Sequence, residues 1–141
     1  MTNDINTILV HEDADVTRMS HARAISAWLF VVCGMILGMI VLGGLTRLTH
    51  SGLSMVHWQP VTGWLPPLND AEWNAVFDAY KGSPEFTKVN YDMTVDGFKG
   101  IFWLEFIHRL LGRTVGVAFF LPFLFFMFKG WIDRRIAPSL V

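Results

Sequence analysis

The stretch AISAWLFVVCGMILGMIVLGGL, residues 24–45, decides the fold class of this chain. It contains no Asp, Glu, Lys or Arg, and a helix needs about 20 such residues to cross the hydrocarbon core of a bilayer. We therefore predict a transmembrane helix over 24–45, preceded by a polar leader over 1–23.

The composition of the whole chain also indicates a membrane protein. Of its 141 residues, 52% are hydrophobic and only 16% are charged, whereas a soluble domain carries about 25% charged residues. The formal net charge of -1 excludes a strongly basic nucleic-acid-binding domain. The single cysteine, Cys33, excludes an intrachain disulfide and a zinc site made of cysteines alone.

A second transmembrane helix is predicted over 98–128. Its uncharged part, 114–128, is too short to cross a bilayer comfortably, and extension back to Phe98 gives a helix of roughly 46 Å at about 1.5 Å per residue. Pro122 is expected to kink this helix. The extension carries four ionisable residues near one end: Glu105, His108, Arg109 and Arg113. Because ionisable residues in a span are costly, we interpret them as functional and facing the interior of a bundle.

The residues between the two spans, 46–97, are predicted to form an ordered extracytoplasmic loop. Four apolar residues in it recur at the i, i+3, i+4, i+7 spacing of an amphipathic helix: Trp73, Val76, Phe77 and Tyr80. We predict a short helix over about 70–81, capped by Asn69 or Asp70.

Lysine and arginine near the span ends set the expected orientation. Five basic residues flank the spans in the leader and in the end segment 129–141: Arg18, Arg23, Lys129, Arg134 and Arg135. Both termini are therefore expected in the cytoplasm. The ionisable residues of the second helix would then lie at the outer face.

Glu105, His108 and Arg109 lie on one stripe of the second helix, because they are three or four residues apart. A buried imidazole can be an axial ligand of a haem iron. Arg47, Arg109 and Arg113 would lie near the interface, where haem propionates need cations. A di-iron site would need two such helices and further glutamates, which this sequence lacks. The alternative is structural: a Glu105–Arg109 ion pair beside a hydrogen-bonded His108.

Several motifs, in order along the chain, together resemble the haem A synthases. They are Gly43–Thr49, Ser51–Met55, Trp58, Pro66 with Pro67, Glu72 with Trp73, Pro84–Phe86, Phe98 with Lys99, and Glu105, His108 and Arg109 with Gly112 and Arg113. The resemblance runs from Gly43 to Gly116. It is closest to the branch shared by proteobacteria and mitochondria, which has no cysteine pair in this loop. Gly97 and Phe106 depart from the family, where a glutamate and a tyrosine are common.

The resemblance implies an all-α integral membrane protein, of which this chain forms the first part of a four-helix haem-binding bundle. It implies an oxidoreductase that oxidises the C8 methyl of haem O to the formyl group of haem A for cytochrome c oxidase biogenesis. Haem b is the family cofactor and haem O the substrate. By resemblance, His108 matches the iron ligand and Glu105 the catalytic carboxylate beside it. That carboxylate would stabilise positive charge as the methyl carbon is oxidised, or handle a proton.

The resemblance also implies partners and a location. Haem O synthase is an expected partner, membrane lipid would surround the spans, and the bacterial inner (cytoplasmic) membrane is the expected site; no nucleic-acid partner is expected. Family members have eight spans. We therefore expect this chain to be an N-terminal portion, inactive alone and completed by the remaining synthase helices or by a second copy.

Two other functions stay open at this point. One is a non-enzymatic, cytochrome b-like dimer in which His108 of each copy binds one face of a shared haem. The other is a cofactor-free membrane assembly protein whose charges are simply paired. The loop motifs favour the synthase, because a generic cytochrome does not need them.

Overall fold

The structure is a computed structural model that describes residues 2–57 and 63–132, with side chains from Asp15 onward. Within these ranges it contains four helices and no strand: α1 (Thr2–Leu48), α2 (Asp70–Lys81), α3 (Pro84–Lys88) and α4 (Val95–Phe128). Trp58 of the loop motifs and residues 133–141 of the predicted end segment lie outside the described residues. The all-α fold class is confirmed.

Two helices, α1 and α4, are long and apolar enough to cross a membrane. α1 extends beyond the predicted span 24–45 at both ends, because loss of apolar character marks the edge of a hydrocarbon core but does not stop a helix. Its C-terminus is closed by a backbone bond from Ser51 N to Thr46 O (3.0 Å) and by the left-handed conformation of His50, with φ of 53°.

α4 begins three residues before the predicted bound of 98, at Val95. Thr94 explains the difference: its carbonyl oxygen accepts from Phe98 N (2.9 Å), and its hydroxyl oxygen accepts from Gly97 N (3.3 Å). A threonine that bonds the free N–H groups of the first turn is a favourable helix start.

The chain forms two compact units, and the first comprises residues 35–114. Its core is a cluster of six buried aromatic residues from α2 and α4: Trp73, Phe77, Tyr80, Phe98, Phe102 and Phe106. The three α4 members recur every fourth residue and so share one helix face. α2 is capped by Asn69, whose Oδ1 accepts from Glu72 N at 2.9 Å, which confirms one of the two predicted caps. The cluster fixes α2 against the first half of α4.

The second unit contains the described residues up to 34 and those from 115 to 132. Trp28 and Val32 of α1 pack with Phe123 and Phe126 of α4. Pro122 lies inside α4 and has no N–H, so the Ala118 carbonyl four residues earlier loses its helical donor. The indole Nε1 of Trp28 donates to that carbonyl at 2.8 Å. In a membrane helix such a replacement donor matters, because no water is available.

Candidate functional site

Glu105 is the most heavily hydrogen-bonded carboxylate of the first unit, and the residue is only 3% exposed. Its Oε2 accepts from the Ser54 hydroxyl at 2.6 Å and from Met55 N at 2.8 Å. Its Oε1 accepts from Arg109 Nε at 2.9 Å and from Arg109 Nη2. An ionised carboxylate has about four acceptor sites, so these four donors fill its capacity.

Arg109 completes this arrangement from the next turn of α4. Besides Glu105, its Nη2 donates to the Met55 carbonyl at 3.2 Å. Both backbone groups of Met55 are therefore bound by the Glu105–Arg109 pair. We call the residues between α1 and α2, 49–57 and 63–69 as described, the connecting segment. The pair anchors this segment to α4. The Glu105–Arg109 ion pair of the structural alternative is therefore present in the fold.

His108 lies one turn from Glu105 on α4 and is half-buried. Neither of its ring nitrogens makes a hydrogen bond to a described residue, so the hydrogen-bonded His108 of the structural alternative is not observed. The ring packs on α1 at Gly43: a Cβ atom at that position would lie 3.2 Å from His108 Nε2 and 3.7 Å from Cε1. The imidazole fits against α1 because Gly43 has no side chain.

The three arginines named as propionate ligands have different surroundings. Arg109 is committed to Glu105 and Met55. Arg113 donates to the Gly63 carbonyl and stacks over Trp64, with its Cζ atom 5.6 Å from the ring centroid. Arg47 is exposed in the last turn of α1, one turn beyond Gly43. It makes no ion pair with any residue in the described ranges.

The chemistry of His108, Gly43 and Arg47 suits haem binding. His108 offers an imidazole that no described hydrogen bond occupies, and the helix facing it carries a glycine. Arg47, one turn away on α1, offers a cation to a propionate. In the structure Nε2 faces Gly43, so ligation through this nitrogen requires the ring to turn away from the glycine.

Sequence reasoning missed the role of Ser54 and Met55. Both lie in a motif that carries the family resemblance, but their contacts with Glu105 join residues about fifty positions apart. A serine between apolar residues in a loop carries no local signal of such a contact. His50, another ionisable residue of this segment, pairs with Glu85 at 2.8 Å and not with the α4 residues.

The fold and site define a helical membrane protein in which an ordered connecting segment is anchored to the second long helix through a buried ion pair. Residues 26–141 match the model of the COX15-CtaA family, described as cytochrome oxidase assembly protein. The chain belongs to this family. The resemblance drawn from the motifs is thereby confirmed.

Its relatives include several haem A synthases. That of Paramagnetospirillum magneticum is 52% identical over 127 residues, which cover 90% of this chain and 36% of the relative. That of Nitrosospira multiformis is 49% identical over 84% of this chain and 33% of the relative. That of Rhodopseudomonas palustris (strain ATCC BAA-98 / CGA009) is 53% identical over 86% of this chain and 33% of the relative. The chain thus spans about a third of the length of these relatives, and no solved structure matches it.

Proposed function

We propose that this chain is the N-terminal, haem-binding portion of a haem A synthase. The observation that carries the proposal is the 52% identity to a haem A synthase over 90% of the chain, in the region that contains Glu105, His108 and Arg109. The reaction would be the oxidation of the C8 methyl of haem O to the formyl group of haem A, for use by cytochrome c oxidase.

His108 is the proposed iron ligand. It is the half-buried imidazole of α4 that no described hydrogen bond engages, and a neutral imidazole nitrogen is a common haem ligand. Arg47 and Arg113 are the proposed propionate contacts, and Arg109 would contribute through its pairing with Glu105. A bound haem supplies the redox-active iron that the chain's own side chains lack.

Glu105 is the proposed catalytic carboxylate, and its surroundings favour one of its two expected roles. A carboxylate held by four donors is fixed in place, which suits stabilisation of positive charge developing nearby. Proton abstraction is disfavoured because its acceptor sites are filled. Arg109 offsets part of its charge, so the effect would be short-ranged and require the reacting carbon to lie close to the pair.

The surroundings of this portion follow from the same proposal. It would lie in a bacterial inner membrane with both termini in the cytoplasm and the connecting segment outside. The remaining helices of the synthase, or a second copy of this chain, would enclose the haem from its other side. Haem O synthase is the proposed supplier of the substrate.

A chimera tests this proposal. This chain replaces the matched segment of the Paramagnetospirillum magneticum synthase, and the chimera is expressed in a strain that makes haem O but no haem A. We expect His108→Ala to lower the haem content of the purified chimera, and Glu105→Gln to keep the haem while haem A formation falls.

His57→Ala is the matched control, because His57 is exposed in the connecting segment. Wild-type haem content in His108→Ala would remove His108 from the ligands. Haem bound through His108 in a correctly inserted chimera that makes no haem A would favour the cytochrome-like alternative.

A further inference from the structure

A cavity of about 520 Å³ lies in the second unit, and none of its lining residues belongs to the unit that contains Glu105 and His108. It is lined by four residues of α1 and two that follow α4: Arg18, His21, Ala22, Ile25, Gly130 and Trp131. Nothing in the proposed synthase reaction uses these residues.

The ionisable side chains described in the cavity lining are basic. Among the lining residues that the structure describes, the two ionisable ones, Arg18 and His21, are bases, and none is a carboxylate. Arg18 makes no ion pair with a described residue, so its charge is available to a ligand. Because the whole chain has a net charge of -1, this is a local feature and not a general basic character.

The position of the cavity along both helices corresponds to a membrane surface. The apolar stretch of α1 begins at residue 24, just after the basic lining residues, and α4 ends at Phe128, just before Gly130 and Trp131. Along α1, the lining changes from Arg18 and His21 to Ala22 and Ile25 in the direction of the apolar stretch. This order matches a phospholipid, whose charged headgroup continues into ester and acyl groups.

Trp131 packs against α1 beside the cavity. Its ring stacks on the His21 imidazole, with centroids 3.9 Å apart and planes 14° from parallel. Tryptophan favours the membrane–water interface. At the end of α4, the carbonyls of Phe126 and Met127 accept from Trp131 N and Gly130 N. The turn needs the left-handed conformation of Gly130, whose φ is 69°, and glycine adopts this conformation without strain.

We propose that this cavity binds the phosphate of an anionic phospholipid headgroup. Arg18 contacts the phosphate, with His21 beside it, while Ile25 and Trp131 pack on the glycerol and upper acyl groups. Basic pockets between membrane helices bind anionic headgroups in this way. The inference does not depend on haem binding or on the synthase reaction.

The test uses the 141-residue chain in nanodiscs that contain phosphatidylcholine and phosphatidylglycerol in a 3:1 ratio, followed by native mass spectrometry of retained lipid. Arg18→Gln is compared with Arg23→Gln, which removes the same charge from an exposed residue outside the cavity lining. We expect wild type and Arg23→Gln to retain one phosphatidylglycerol preferentially. Arg18→Gln should weaken retention on the order of fivefold, the effect of about 1 kcal/mol per basic residue.

Each alternative outcome overturns the proposal. Equal losses in the two variants would mean non-specific surface charge, and no preference over phosphatidylcholine would mean no headgroup site. Displacement of the lipid by millimolar inorganic phosphate would assign the cavity to free phosphate instead. If Arg18→Gln fails to insert, His21→Gln replaces it, and wild-type retention in that variant would also contradict the proposed site.

Discussion

Replacement of Ser54 by alanine is the sharpest test of the anchor between the connecting segment and α4. Ser54 is 1% exposed, and its hydroxyl donates to Glu105 Oε2 at 2.6 Å, the short distance of a charge-assisted hydrogen bond. A hydrogen bond to a charged group contributes about 1.5–3 kcal/mol. Loss of this bond should therefore favour local opening of the anchor by about 10-fold to 100-fold, at about 1.4 kcal/mol for each factor of ten.

Hydrogen exchange at the Met55 amide measures this opening directly. Met55 N donates to the same carboxylate oxygen at 2.8 Å, so its hydrogen exchanges only when that bond breaks. We expect Ser54→Ala in detergent to reduce protection of the Met55 amide by about 10-fold to 100-fold. The amide of Glu72, which is bonded within the α2 cap, should keep its protection.

Ser51→Ala is the matched control in the same segment. Ser51 is also buried, but its hydroxyl donates to the Thr46 carbonyl at 3.2 Å and does not reach Glu105. Its loss should affect Met55 less. Unchanged protection of Met55 in Ser54→Ala, or an equal effect of the two substitutions, would refute the reasoning that Glu105 holds the segment through Ser54.

Three further predictions concern other parts of the molecule. Trp28→Phe should lower the free energy of unfolding in SDS titrations by about 0.6–2 kcal/mol, because it removes the donor to the carbonyl that Pro122 leaves free. In a Pro122→Ala background the helical donor returns, so Trp28→Phe should lower the free energy of unfolding by less. Burial raises the pKa of Tyr80. The contribution of Tyr80 to stability should therefore be constant below about pH 10 and be lost as the pH rises further, because the unfolded chain releases this proton first. Tyr80→Phe should remove that alkaline loss in thermal unfolding. Gly43→Ala in the chimera should displace the His108 ring and alter the reduced-minus-oxidised haem spectrum.

Each of these predictions has a result that contradicts it. Equal costs of Trp28→Phe in the two backgrounds would show that the indole does not replace the missing helical donor. An unchanged alkaline transition in Tyr80→Phe would assign that transition to another group. Gly44→Ala is the control for Gly43, because a Cβ there meets nothing within 4 Å, and identical haem spectra in both variants would refute the role of Gly43.

The sequence predicts best those features that depend on neighbouring residues. The apolar stretch 24–45 indicates a spanning helix by itself, and the i, i+3, i+4, i+7 pattern with Asn69 before it indicates an amphipathic helix in the range where α2 lies, Asp70–Lys81. Both signals are local, because helix formation and capping depend on residues within about one turn. Helix ends are weaker predictions, as the extension of α1 to Leu48 shows.

Contacts between distant parts of the chain, in the candidate site and elsewhere, could not be predicted in this way. Ser54 and Glu105 are 51 positions apart, and Trp28 and Ala118 are 90 apart. Each contact depends on how the chain folds back on itself, and nothing in the local pattern of either partner requires it. The pairing of Glu105 with Arg109 was open to prediction only because both lie on one helix.

Haem A formation by the chimera tests the central claim most directly. Haem is extracted from membranes of the haem A-deficient strain that carries the chimera and is separated by chromatography, with the unmodified relative as the positive control. We expect haem A from the chimera, its loss in His108→Ala and its retention in His57→Ala. A correctly inserted chimera that makes no haem A, or a His108→Ala chimera that makes as much as the wild type, would contradict it.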